Sequence, residues 1–125
     1  MLTAGVLGGA VFLLLLGYRT DYAGHFVAGY GGTLLLLAFP LATLRPALRW
    51  EPLACAILAI LIGTVFEATV FRLAIFDPVD FLNQSLGAVL AATSVQGRAP
   101  ALLAAFGAGG LALAFLSVGA LLAFA

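Results

Sequence analysis

One histidine and five carboxylates are the groups in this chain whose ordinary titration lies below neutrality, and helical spacing can gather most of them. Asp21 and His25 are four residues apart and so share a helix face. The stretch FDPVDFLNQ, from Phe76 to Gln84, holds Asp77, Asp80, Asn83 and Gln84, and the last three follow an i, i+3, i+4 spacing. Glu67 stands isolated in a long apolar run, with Arg72 five residues on. An imidazole, carboxylates and neutral amides around one pocket can hydrogen-bond a polar headgroup. The same imidazole with three carboxylates could hold a hard or borderline divalent cation. A proton path through Glu67 is a further possibility, but one isolated acid makes no visible relay. The sequence holds no nucleophile–base pair, so catalysis would have to run through a metal. No cofactor motif is present.

Several of these groups also have a purely structural role open to them. Asp77-Pro78 is a standard helix start, with aspartate as N-cap, proline in the first position and Asp80 as an acid in the first turn. Asp21 could equally cap its helix, and His25 could be a wet, neutral histidine near an interface. Arg72 is close enough to a helix end to snorkel. Glu67 is different. A carboxylate inside an apolar span costs about 2.5 kcal/mol or more unless paired or protonated, so such acids default to function. The structural alternative for it is a buried pair with His25 or Arg72 that fixes helix packing.

The elements that must carry these residues follow from composition. Of 125 residues 65% are hydrophobic and 8% charged, with no lysine. Ten charges cannot cover a soluble surface, where about a quarter of residues are charged. An all-α membrane protein is expected: a single transmembrane domain over residues 1–125, folded as a compact bundle of about five helices. The apolar segments run from about Leu2 to Gly17, Tyr22 to Leu44, Leu53 to Ile75, Val79 to Val95 and Ala101 to Phe124. The first is expected to be retained as a span, because it lacks a basic n-region and a small-x-small cleavage site. The fourth is short and polar, so either burial by its neighbours or a partly re-entrant path must compensate. Small residues continue the polar stripes, as Gly29 and Gly32 below His25 and as Gly87 and Ala91 below Gln84. That pattern predicts close packing of the second and fourth helices beneath a polar pocket. GAGG at 107–110 reads as a close-packing surface rather than a phosphate loop, and the fifth segment, without ionisable groups, is assigned no chemistry.

Cys55 is the single cysteine, which excludes an internal disulfide and a CxxC motif. Five scattered arginines make no basic patch for nucleic acid. Arg45, Arg49 and Arg98 fall on one side of a five-span topology, Arg19 and Arg72 on the other. The positive-inside rule then puts the N-terminus inside and the C-terminus outside, with the polar cluster on the outer side.

The order DYAGHF, then an isolated glutamate in the next span, then FDPVDFLNQSLGAVLA resembles the VanZ-like family of small bacterial membrane proteins over roughly residues 18–95. That family shows an aspartate four residues before His-Phe, an intramembrane glutamate, and a D-x-x-x-N-[ST]-x-G-x-x-x-G segment. The matching positions are Asp21, His25, Phe26, Glu67, Asp80, Ser85 and Gly87. Gln84 stands where the pattern has asparagine, with Asn83 beside it, and Ala91 replaces the second glycine. The resemblance implies a multi-pass protein of the bacterial cytoplasmic membrane with a role in the cell envelope, the family's namesake being associated with teicoplanin resistance. On this reading Asp21, His25, Glu67, Arg72, Asp80, Asn83 and Gln84 bind a lipid or glycolipid headgroup or an envelope precursor. The competing readings are a structural subunit docked on a membrane-protein partner, a metal-dependent enzyme, and a proton-coupled transporter.

Overall fold

The computed structural model describes residues 2–15, 17, 19–43, 48–69, 76–97 and 102–123, with backbone alone at 40–43, 102–106 and 123. Among these residues there are five α-helices and no strand: α1 (Leu2–Leu15), α2 (Thr20–Thr43), α3 (Glu51–Thr69), α4 (Pro78–Val95) and α5 (Leu102–Ala123). Each expected segment is a helix, and each starts within two residues of the expected position. The expected extension of α3 to Ile75, and with it Arg72, lies outside the described residues, as do Arg45 and Arg98.

α2 is the centre of the bundle and packs most extensively against α5, then α4, then α3 and α1. Glycines on different faces of α2 make this possible. A Cβ at Gly29 would overlap the backbone carbonyl of Gln84, and one at Gly87 would overlap the carbonyl of Phe26. Only glycine lets α2 and α4 approach this closely. Ala91 is fully buried on the same α4 face. Gly32 does not belong to this seam, contrary to the sequence reading. A Cβ there would sit 3.8 Å from Ala59 Cβ on α3.

The opposite face of α2 meets α5 through Gly119, where a Cβ would lie 3.0 Å from both Ala28 N and Gly24 O. The GAGG stretch is not the close-packing surface expected of it. Nothing lies within 4 Å of a Cβ built on Gly107 or Gly110, and only Ala108 is buried in the core.

Tyr30, Leu34 and Leu37 of α2 are fully buried and anchor the core with Ala112 and Phe115 of α5. Tyr30 meets Phe115 edge-on at 5.0 Å. Its hydroxyl lies 3.2 Å from Ser94 Oγ on α4, which matters because an unsatisfied buried hydroxyl costs roughly 2 kcal/mol or more. α1 is fastened by Phe12, stacked on Phe26 at 4.6 Å.

α4 is one continuous helix that buries Asn83, Gly87, Ala88, Ala91, Ala92 and Val95. Asp77 caps it, accepting a 2.8 Å hydrogen bond from Val79 N, with Pro78 in the first position. At its other end Gly97 N donates to Leu48 O at 2.8 Å, and Gln96 Nε2 donates to Arg49 O at 3.0 Å. Leu48 adopts a left-handed φ of 53° and is nevertheless buried. Glu51 Oε2 reaches back to accept from Arg49 N and Trp50 N at 2.8 and 3.0 Å.

Among the described residues two helical stretches, Thr20–Phe39 and Glu51–Thr69, are long and apolar enough to cross a membrane. Large apolar side chains are exposed on every helix, from Leu7 and Leu15 of α1 through Leu61 of α3 to Leu121 of α5. Hydroxyls on these faces bond back to their own helix, as Thr64 to Ile60 O, Ser85 to Phe81 O and Ser117 to Leu113 O.

A candidate ligand site at one end of the bundle

The start of α2, the end of α3 and the start of α4 come together at one end of the molecule. There His25 Nε2 lies 3.4 Å from Asp80 Oδ2, both side chains about four-fifths buried, and the contact is an ion pair whenever the imidazole is protonated. The two residues meet because each stands in the first turns of its helix and the Gly29 and Gly87 contacts set the α2–α4 distance below them. Asp80 Oδ1 is buried and finds no partner among the described residues. Asn83, one turn further along the same face and 4% exposed, leaves its Nδ2 equally unpartnered. An acceptor and a donor are thus left open on one helix face.

Beside this pair a cavity of about 600 Å³ is walled by α2, α3 and α5, with Gln84 reaching in from α4. His25, Glu67 and Gln84 are the polar groups on its wall, and the rest is glycine, alanine, leucine, isoleucine and phenylalanine. Gln84 crosses α3 at Gly63, where a Cβ would overlap its side-chain amide, and Nε2 donates to Ala59 O at 3.2 Å. That bond fixes the amide and turns Oε1 into the free acceptor. Glu67, two residues from the last described residue of α3, is partly buried and makes no hydrogen bond or ion pair with any described residue.

The sequence-predicted residues therefore divide. His25, Glu67 and Gln84 share one cavity, Asp80 is joined to it through His25, and Asn83 is buried beside Asp80. Asp21 turns the other way. It takes a two-pronged hydrogen bond from Arg19, at 3.1 and 2.7 Å, near the surface. Arg19 also lies 4.2 Å over the Tyr22 ring, and its bond to Asp21 raises the guanidinium above its ordinary pKa, so it stays charged. Arg72 and Arg45 lie outside the described residues. No group of three His, Cys, Asp or Glu side chains suited to a metal exists among the described residues, which leaves the metal-enzyme alternative without a ligand set.

Sequence reasoning missed the contribution of α5. Leu116, Gly119 and Ala120 form one wall of the cavity, on the helix that was assigned no chemistry. Nothing polar marks that wall; the single available signal was Gly119, a lone glycine late in an apolar run. Gly63 was visible as a neighbour of Glu67 on one face, but its role as the slot for Gln84 required the α3–α4 distance. Comparison with protein-family models, with curated proteins and with solved structures returns no match.

Proposed function

We propose that this chain is a VanZ-like protein embedded in the bacterial cytoplasmic membrane, with its N-terminus inside, that binds an envelope amphiphile at the polar end of the bundle. The amphiphile's headgroup meets Glu67, Gln84 and the His25–Asp80 pair. The observation that carries this reading is the Glu67 carboxylate, without a partner among the described residues, on the wall of a cavity whose other polar side chains are His25 and Gln84. A carboxylate so placed is costly in a membrane unless it is protonated or paired, and a ligand headgroup can supply the pairing.

Embedding is supported by the exposed apolar side chains on all five helices and by hydroxyls that need no water. A soluble bundle would turn polar residues outward at these positions. Orientation rests on the arginines. Reporter fusions at Ala125 and in the loop between Arg45 and Arg49 are expected on opposite sides of the membrane, and finding them on the same side contradicts the five-span arrangement.

The binding claim is tested by native mass spectrometry of protein extracted with its own lipids. One retained amphiphile per chain is expected for the wild type and none for Glu67→Gln. Bare wild-type protein, or equal retention by the variant, overturns the reading.

A further inference from the structure

The cavity has a polar top and an apolar floor, and both its length and its free groups select a ligand. Along α2 its wall runs from Gly24 to Leu36, a rise of twelve steps or about 18 Å of helix. Half of a roughly 30 Å hydrocarbon core is about 15 Å, so the cleft is as deep as one leaflet. His25 and Glu67 lie toward one end and the Gln84 amide about midway, at Gly63 and Ala59, while Leu35 and Leu36 line the far end. This is the profile of one alkyl chain with its head at His25 and Glu67.

The free groups at the head are weighted toward acceptors. Gln84 has committed one amide N–H to Ala59 O, which leaves Oε1 and one N–H. His25 Nε2 is directed to Asp80. Glu67 offers a whole carboxylate. Arg19 is held by Asp21 and stacked on Tyr22, and His25 faces Asp80, so neither is free to pair with an anionic head. A phosphate here would place like charge beside Glu67, whereas an ammonium brings positive charge and three donors to acceptors that lack them.

Resting on the amphiphile reading above, we infer that the ligand carries a primary ammonium head, seated on Glu67 and Gln84 Oε1, with a single alkyl chain in the cleft between α3 and α5. Gly32 is part of the specificity. Its Cβ would make only ordinary contact with Ala59, so a larger side chain there fills the cleft without moving a backbone.

The test uses the purified full chain in phosphatidylcholine vesicles with three stearyl probes, each spin-labelled on the chain and headed by ammonium, hydroxyl or phosphate. Electron paramagnetic resonance reads the motionally restricted component, and circular dichroism checks that each variant is folded. The ammonium probe is expected to associate at least ten-fold more strongly than the other two. Glu67→Gln should reduce it to the level of the hydroxyl probe, and Gly32→Leu should remove the restricted component. If the hydroxyl or phosphate probe binds as well as the ammonium probe, the ammonium assignment fails while the amphiphile reading survives. If no probe shows a restricted component that Gly32→Leu removes, both fail. Cysteines at Ile62 that crosslink two copies through the cleft would also overturn the assignment, with a second chain as occupant.

Discussion

Where α2 gives way to α3, the chain ties itself down: Gly97 and Gln96 bond the backbone of Leu48 and Arg49, and Glu51 takes the amides of Arg49 and Trp50. At the opposite end, where α2 and α4 begin, Asp80 Oδ1, Asn83 Nδ2 and the Glu67 carboxylate are left without partners among the described residues. Buried polar groups are ordinarily satisfied, and an exception needs an explanation. The two ends differ in what holds them. Hydrogen bonds hold the first. Glycine contacts hold the second, through Gly29, Gly87 and Gly63, and they leave its polar atoms free to meet something else.

The contrast can be broken most severely at the glycine seam. Gly87→Leu forces a side chain into the backbone of Phe26 and should destabilise the fold by about 3 kcal/mol, the upper range for overpacking. Ala120→Leu, on the open wall of the cavity, should stay within about 0.5 kcal/mol. Unfolding in mixed micelles measures both, and equal losses would mean that the seam is not what spaces α2 from α4.

Much of this end was legible in the sequence because its signals are local. Asp77 caps α4 as the Asp-Pro pair requires, and the i, i+4 spacing of Asp21 and His25, set against the small-residue stripes, brings His25 to Asp80. What failed depended on competition or on angle. Asp21 follows Arg19 by two residues, and that arginine precedes the helix, free of its face, so it reaches the carboxylate before His25 can. Gly32 lies three residues beyond Gly29, which turns it roughly 60° around the helix and onto α3 instead of α4. The α5 wall carries no polar residue, so no spacing rule could find it. The α2–α3 turn was equally hidden, since a leucine at positive φ is not a pattern that sequence announces.

A smaller effect sharpens the comparison. Asn83→Leu removes a buried donor that costs roughly 1–3 kcal/mol, and the variant should be more stable than wild type by about 1 kcal/mol while binding less amphiphile. A loss of stability would show that the amide already has a partner inside the fold. The tied end should behave in the reverse sense. Gln96→Ala gives up the bond to Arg49 O and should lower stability by about 1 kcal/mol or less, with amphiphile retention unchanged. Impaired retention in that variant would erase the distinction between the ends.

The central claim is that the polar end is kept for a ligand and not for packing, and Glu67 carries it. The unfolding free energy of Glu67→Gln, measured in lipid-free micelles against wild type, tests this most directly. A carboxylate with no partner in the fold is a cost that its amide isostere removes, so Glu67→Gln should be at least as stable as wild type. A loss of about 3 kcal/mol or more, the cost of breaking a buried pair, would mean that Glu67 holds the bundle together and would contradict the account.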